Sequence, residues 1–84
     1  MKYVKKPVVI DAIEWRGELT DEIRGFFDSP RRYAYSKGKP LGIRTLEGLM
    51  ECPVGWMIIK GVAGEYYSCE PRIFILTYEN IADE

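Results

Sequence analysis

The sequence predicts a small α+β domain: an antiparallel β-meander or sheet, with one short helix after the first strand and a second helix at the C-terminus. Two observations predict this class. The chain has 84 residues, which is room for a single domain over residues 1–84 with one modest core. From residue 41 onward, apolar runs alternate with glycine-containing turns, a pattern typical of antiparallel strands joined by tight hairpins.

The N-terminal half begins with a strand predicted over residues 7–15. Apolar side chains fall on both of its faces, which predicts a strand that is partly covered on both sides. A short helix follows, because Thr20 can serve as its N-cap and because apolar residues then recur at helical spacing. These residues are Leu19, Ile23, Phe26 and Phe27. The Asp-Ser-Pro sequence at 28–30 ends the helix.

The middle of the chain is predicted to be a loop followed by hairpins. Residues 31–40 have no apolar periodicity and form the loop, with a short strand through 33–35 as the alternative. Strands at 42–46 and 49–52 flank Glu47-Gly48, a spacing that suits a two-residue turn with a glycine at positive φ. A turn at 53–55 then leads to a strand at 56–60, and a turn at 61–64 separates that strand from another at 65–69.

The C-terminal segment allows two interpretations. Residues 73–76 suit a strand by their β-propensity. However, Pro71 suits the first position of a helix, and Phe74, Tyr78 and Ile81 recur at helical spacing. We therefore predict a helix over about residues 71–80, with a strand as the alternative.

The composition narrows the classes of partner and location. Twelve basic and thirteen acidic side chains give a net charge of −1, which argues against a protein that binds bulk duplex DNA. No apolar run approaches the ~20 residues that span a bilayer, and the run at 7–10 is too short for a signal-peptide core. We expect a cytoplasmic protein with Cys52 and Cys69 reduced. A chain this short gains stability by oligomerising, so a homo-oligomer is left open.

The chain has no histidine, which is the commonest general base and metal ligand near neutral pH. Two cysteines alone do not complete a structural zinc site. We therefore expect a protein that is not an enzyme and that uses no cofactor and no metal. A histidine-free hydrolase that uses carboxylates is the remaining enzymatic alternative. The candidate carboxylates, for which structural or solvated roles are expected, are Asp11, Glu14, Glu47, Glu51 and Glu65.

The segment from Arg31 to Arg44, here called the basic segment, is the main candidate for binding. It contains no acidic residue, and its cations are interleaved with two tyrosines. Basic side chains pair with phosphate or carboxylate groups, and tyrosine rings stack on bases. The candidate ligand- or partner-binding residues are Arg31, Arg32, Tyr33, Tyr35, Lys37, Lys39 and Arg44. The alternative is a solvated loop whose tyrosines pack on the edge of the sheet.

Other aromatic residues are candidates for an interface. Alternation places Tyr66 and Tyr67 on opposite faces of one strand, so one ring is expected in the core and the other at the surface. Exposed aromatic side chains often dominate protein interfaces, which makes Trp15, Trp56 and Tyr67 candidate interface anchors. Packing of the tryptophans in the core is the alternative interpretation.

Two segments resemble a widespread family of small, functionally uncharacterised phage and prophage proteins. Residues 5–15, KKPVVIDAIEW, resemble that family's KKPVVVEAxxW-like opening strand, and residues 55–79 are similar to its closing PGDWIIKGVKGEFYPCKPDIFxxTYE-like segment. The matches cover about half of the chain. Ser68, Glu70 and Arg72 depart from the usual proline, lysine and aspartate, and Gly55-Trp56-Met57 replaces Gly-Asp-aromatic. The resemblance implies a phage origin, and with it a location in the cytoplasm of the infected or lysogenic host cell.

These observations together predict a small, non-catalytic binding protein of phage origin, plausibly an inhibitor of a host anti-phage defence system. It would act either by sequestering an anionic, nucleotide-like ligand or by blocking a host protein. The alternative is a structural or nucleic-acid-associated phage accessory protein.

Overall fold

The computed structural model describes residues 1–4 and 6–81, and shows six strands, two α-helices and one 3-10 helix in them. Lys5, which opens the first family-like motif, and residues 82–84 of the predicted domain lie outside the described residues. In chain order the elements are β1 (Asp11–Glu14), α1 (Asp21–Phe26), the 3-10 helix (Pro30–Arg32), β2 (Tyr33–Ala34), β3 (Leu41–Thr45), β4 (Gly48–Cys52), β5 (Met57–Lys60), β6 (Tyr66–Cys69) and α2 (Pro71–Thr77).

The strands form two antiparallel sheets of three strands each. The first sheet has the order β1-β5-β6, and the second has the order β2-β3-β4. The two sheets meet where β6 lies beside β4, and there the Ser68 hydroxyl donates a 2.8 Å hydrogen bond to the Glu51 carbonyl. The predicted α+β class, with antiparallel strands and a helix near each end, is confirmed. The strands from residue 41 to residue 69 do not form one continuous meander, because the 53–55 turn leads the chain from one sheet to the other.

The first strand is shorter than the predicted 7–15. β1 pairs with β5 from Asp11, opposite Lys60, to Glu14, opposite Met57. The chain turns at Gly61 immediately after β5, so residues before Asp11 have no partner strand to pair with. Val8 and Val9 are exposed as a result. Ala12 and Ile13, on opposite faces of β1, are both half-buried, as a strand covered on two sides requires.

Helix α1 forms where the sequence predicts it. The Thr20 hydroxyl accepts a 3.2 Å hydrogen bond from the Ile23 amide, which satisfies one of the free donors of the first turn. Asp21 and Glu22 occupy that turn, where negative charge is favourable. The helix ends at Phe26, and Ile23 and Phe27 place their side chains in the core.

The β3–β4 hairpin turns one residue earlier than predicted. Thr45 pairs with Gly48, so the two loop residues are Leu46 and Glu47, and Gly48 is the first residue of β4. Gly48 still takes the predicted positive φ, at 117°. The Thr45 hydroxyl donates to the Gly48 carbonyl at 2.8 Å and accepts from the Glu47 amide at 3.2 Å. The 61–64 turn lies where it was predicted, with the Gly64 amide donating to the Gly61 carbonyl at 3.0 Å.

One core lies between the two sheets and α1. Its buried side chains come from elements that are far apart in sequence, and the sheets and α1 enclose them together. They are Trp15, Ile23, Phe27, Leu41, Ile43, Cys52, Ile58 and Tyr66. Ile59 is also fully buried, but alternation places it on the opposite face of β5 from Ile58. The β1-β5-β6 sheet is therefore covered on both faces.

Helix α2 confirms the helical interpretation of the C-terminal segment, over Pro71–Thr77. Pro71 occupies the first turn, where its missing N–H costs no hydrogen bond. The Glu70 side chain caps the helix by accepting a 3.2 Å hydrogen bond from the Arg72 amide. The helix stops before the predicted residue 80, because Tyr78 is already extended.

Two glycines with different backbone conformations provide a test of the turn geometry. An added Cβ would meet no atom within 4 Å at either Gly25 or Gly48. Gly25 lies in α1 without a positive φ, so Gly25→Ala should stabilise the fold by about 0.5–1 kcal/mol. Gly48 lies at a φ of 117°, so Gly48→Ala should destabilise it by about 1–2 kcal/mol. Urea unfolding of both variants measures this, and a loss of stability in Gly25→Ala would contradict the α1 assignment.

Candidate functional site

The hydroxyl of Tyr66 connects the basic segment to the core. Tyr66 lies on β6 with its ring buried, and its hydroxyl accepts a 3.0 Å hydrogen bond from the Asp28 amide. The same hydroxyl donates to the Phe26 carbonyl at 3.2 Å. It therefore satisfies a carbonyl at the end of α1 and an amide two residues beyond it. The chain enters the basic segment from this fixed point.

Arg32 is already engaged within the protein. Its Nε and Nη2 atoms lie 3.0 and 3.4 Å from the two carboxylate oxygens of Asp28, and its guanidinium lies 5.5 Å from the centre of the Tyr66 ring. The hydrogen bond to Asp28, together with its charge, raises the pKa of Arg32. A ligand that bound Arg32 would have to compete with both partners.

The two tyrosines of the basic segment face inward to different degrees. The Tyr33 ring packs on the buried Phe27 ring, with centroids 4.8 Å apart. The Tyr35 ring meets Trp15 edge-on at 6.0 Å and keeps about a third of its surface exposed. The packing alternative thus describes Tyr33, and Tyr35 is the ring with a free surface.

The outer face of the β2-β3-β4 sheet carries an open cleft of about 300 Å³. Leu41 and Ile43 of β3 point into the core, so Gly42 and Arg44 point to the outer face. A Cβ added at Gly42 would lie 2.9 Å from Cδ2 of Leu49, which shows that Leu49 reaches across the floor of the cleft. The cleft is lined by Ala34, Ser36, Lys39, Pro40, Gly42, Leu49 and Glu51.

Exposed cations lie at this cleft and around it. The Ser36–Lys39 turn, closed by a 3.1 Å hydrogen bond from the Lys39 amide to the Ser36 carbonyl, holds Lys37 and Lys39 at the surface. Arg44 follows Gly42 on the same face of β3, about 7 Å further along the strand. Within residues 1–4 and 6–81, neither lysine forms an ion pair, and the same holds for Arg31 and Arg44.

The structure therefore divides the predicted binding residues. Lys39 lines the cleft, Arg44 lies on the same face, and Lys37 lies on the adjoining turn. Arg31 is exposed on the 3-10 helix, before β2. Sequence reasoning missed Ser36, Gly42, Leu49 and Glu51 as lining residues. For Gly42, the sequence contained the necessary information. Gly42 lies between two apolar strand residues, Leu41 and Ile43, so alternation places it on the face of the strand that points away from the core.

The candidate carboxylates Glu14 and Glu65 make contacts within the fold, and the Cys52 thiol is buried. Glu14 lies 3.4 Å from Arg16, and Glu65 accepts a 3.1 Å hydrogen bond from the Ala63 amide in the 61–64 turn. Both cysteines are free thiols. Burial raises the pKa of Cys52 to about 12, so this thiol stays protonated at neutral pH and is a poor nucleophile. Among the described residues, no three Cys, Asp or Glu side chains are grouped so that they could hold a metal ion.

The candidate interface aromatics are only partly available. Trp15 is fully buried, and Trp56 is half-buried against the core, as the packing alternative describes. Tyr67 is half-buried, and its hydroxyl lies 3.2 Å from that of Tyr78 beyond α2. Burial, followed by the hydrogen bond to Tyr78, raises the pKa of Tyr67. Tyr67 thus connects α2 to the sheet.

Comparisons with protein-family models, with curated proteins and with solved structures give no match. In the part of the chain that the structure describes, neither helix is long and apolar enough to cross a membrane.

Replacing Tyr66 by Phe tests the anchoring of the basic segment. The change keeps the buried ring but removes both hydrogen bonds, which leaves the Asp28 amide and the Phe26 carbonyl to find other partners. We expect the free energy of unfolding to fall by about 1–3 kcal/mol. Tyr33→Phe is the matched control, because the Tyr33 hydroxyl forms no hydrogen bond with the described residues. Equal stability of Tyr66→Phe and the wild-type protein in urea would contradict the anchoring role.

Proposed function

We propose that this protein is a small, non-catalytic binding protein of phage or prophage origin that sequesters an anionic, nucleotide-like ligand. The ligand would lie in the cleft on the outer face of the β2-β3-β4 sheet. One observation carries the proposal: Lys39 lines this open cleft, Arg44 lies on the same sheet face and Lys37 on the adjoining turn, and none of the three has an ion-pair partner among the described residues. The resemblance to small phage proteins supports the proposed origin.

The lining of the cleft suits a discrete ligand that carries both phosphate and polar groups. Lys39 and Arg44 would neutralise phosphate charge, as exposed ammonium and guanidinium groups do. The Ser36 hydroxyl and the Glu51 carboxylate offer hydrogen bonds to a sugar or a base. The carboxylate also disfavours a simple polyanion, because it would repel closely spaced phosphates. The volume of about 300 Å³ lies at the lower end of the range of ligand sites, so part of the ligand would stay exposed.

Stoichiometric sequestration needs no catalytic group. The exposed cations at the cleft would supply the binding energy. The buried Cys52 thiol is protonated at neutral pH, so it would not act as a nucleophile on the ligand. A phage protein of this kind would lower the free concentration of a host signalling nucleotide and so inhibit an anti-phage defence system in the cytoplasm. Affinity rather than turnover would determine its effect.

The same surface defines the competing hypothesis of a blocked host protein. Arg31 and Lys37 project from the 3-10 helix and the 36–39 turn, where they could meet an acidic patch on a folded partner. A nucleic-acid-associated accessory protein would use the same cations on phosphates. Measurements with small nucleotides, and with single-stranded DNA, separate these alternatives.

Isothermal titration with cyclic and linear nucleotides tests the proposal. The wild-type protein should bind at least one of them at a fixed stoichiometry. Lys39→Glu should weaken that binding at least tenfold, because a single lost charge contact with phosphate contributes about 1.4 kcal/mol or more. Lys6→Glu is the matched control: it changes the net charge equally, on an exposed residue outside the cleft.

Three results would contradict the proposal. Absence of nucleotide binding by the wild-type protein would exclude the ligand. Equal weakening by Lys39→Glu and Lys6→Glu would show that only the overall charge matters. Salt-dependent retention on single-stranded DNA without nucleotide binding would favour the nucleic-acid alternative, because phosphate contacts release counterions.

A further inference from the structure

The floor of the cleft is low and apolar. Ala34, Gly42 and Glu51 lie opposite one another on β2, β3 and β4, so they form one row across the outer face of the sheet. Because Gly42 has no side chain, Leu49 can lie over it: a Cβ at Gly42 would be 2.9 Å from the Cδ2 atom of Leu49. The Ala34 methyl group and the Leu49 side chain therefore form a floor on which a planar ring can pack, as nucleobases do on apolar side chains.

The Glu51 carboxylate lies at the β4 end of this row and lines the cleft. Within residues 1–4 and 6–81, it forms no ion pair and accepts no hydrogen bond. The backbone that carries it is held on both sides, since Glu51 pairs with Gly42 and its carbonyl accepts the 2.8 Å hydrogen bond from the Ser68 hydroxyl. An ionised carboxylate only accepts hydrogen bonds, so a ligand on the floor has to present donors to this edge.

The cations lie to either side of this row rather than in it. Arg44 follows Gly42 by two residues on β3, about 7 Å along the strand, and Lys39 lies on the other side, in the turn that precedes β3. Neither of them forms an ion pair with Glu51. The cleft therefore offers positions for a negative group and a separate position for a group that donates hydrogen bonds. A nucleotide carries two such groups at its opposite ends, the phosphate and the base.

We propose that the cleft selects guanine nucleotides and that Glu51 is the residue that determines this specificity; the inference rests on the proposed binding of a nucleotide in this cleft. Among the standard bases, guanine alone has two adjacent donors on its Watson–Crick edge, N1–H and N2–H, and these match the two oxygens of one carboxylate. Adenine and cytosine place an acceptor nitrogen beside their amino group, and uracil places a single N–H between two carbonyl oxygens. Each of these bases would bring an acceptor against Glu51, which disfavours it.

Isothermal titration of the wild-type protein with the 5′-monophosphates of guanosine, inosine, adenosine and uridine tests the selectivity. Guanosine monophosphate should bind at least tenfold more tightly than the adenosine and uridine compounds, because a bidentate pair with a base discriminates by about tenfold or more. Inosine monophosphate differs from it only by the missing 2-amino group. It should therefore also bind about tenfold more weakly, since one of the two hydrogen bonds to Glu51 is lost.

Glu51→Gln tests the assignment of the residue. The amide replaces one acceptor by a donor, and an amide matches adenine, which has a donor beside an acceptor. The ratio of guanosine to adenosine monophosphate affinity should therefore fall at least tenfold. The loss of a negative charge strengthens the binding of both phosphates alike, so the ratio isolates recognition of the base. Glu47→Gln is the matched control: it changes the net charge equally, on an exposed loop residue of the same hairpin that does not line the cleft.

Each result of these titrations decides the inference. A preference for guanosine monophosphate that Glu51→Gln lowers and Glu47→Gln retains supports it. Nucleotide binding without a guanine preference, or with a preference that Glu51→Gln leaves unchanged, overturns the inference while the proposed nucleotide site stands. An equal loss of preference in Glu47→Gln assigns the selectivity to overall charge and also overturns it. Absence of binding by all four nucleotides overturns both the inference and the proposed function.

Discussion

A single buried hydroxyl group, that of Tyr66, joins two parts of the fold that are 38 to 40 positions apart in sequence: β6, and the end of α1 with the residues just after it. It lies on β6, donates to the end of α1 at Phe26 and accepts from the amide of Asp28. The Asp28 side chain in turn holds Arg32, whose guanidinium lies over the Tyr66 ring. A hydroxyl that is buried with both its donor and its acceptor capacity used is costly to disrupt, because each freed partner would be left without a hydrogen bond. The direction in which the basic segment leaves the core depends on this arrangement.

As a consequence, some of the charged and aromatic side chains stabilise the fold, and others reach solvent. Residues near the Tyr66 hydroxyl, such as Arg32 and Tyr33, are used for structure. Those beyond β2 reach solvent: Lys39 lines the cleft on the outer face of the β2-β3-β4 sheet, and Arg44 lies on the same face. The other sheet is covered on both faces, with Tyr67 connecting it to α2. The proposed ligand site therefore lies on the β2-β3-β4 sheet, on the side of that sheet opposite the core.

Three features of the fold could be predicted from the sequence because each is determined by neighbouring residues. Thr20 as a cap, the positive φ of Gly48 and the helical start at Pro71 each follow from a few neighbouring residues, and the structure confirms all three. Two of the errors have long-range causes. The beginning of β1 is fixed by where β5 ends, about fifty residues later, and the division into two sheets depends on which strands pair. Arg32 also looked like a free cation: its aromatic partner lies 34 positions further along the chain, although its ion-pair partner, Asp28, lies only four positions before it. The cleft at Gly42 depended on the pairing of β3 with β4.

The central claim is that the Tyr66 hydroxyl fixes the entry to the basic segment, and the exchange of the Asp28 amide hydrogen measures this directly. Asp28 is itself exposed, so its amide would exchange rapidly unless the hydrogen bond to Tyr66 protects it. Hydrogen exchange followed by nuclear magnetic resonance should show this amide exchanging about as slowly as the amides of β5, through global unfolding. An Asp28 amide that exchanged at the rate of an unprotected loop would contradict the account.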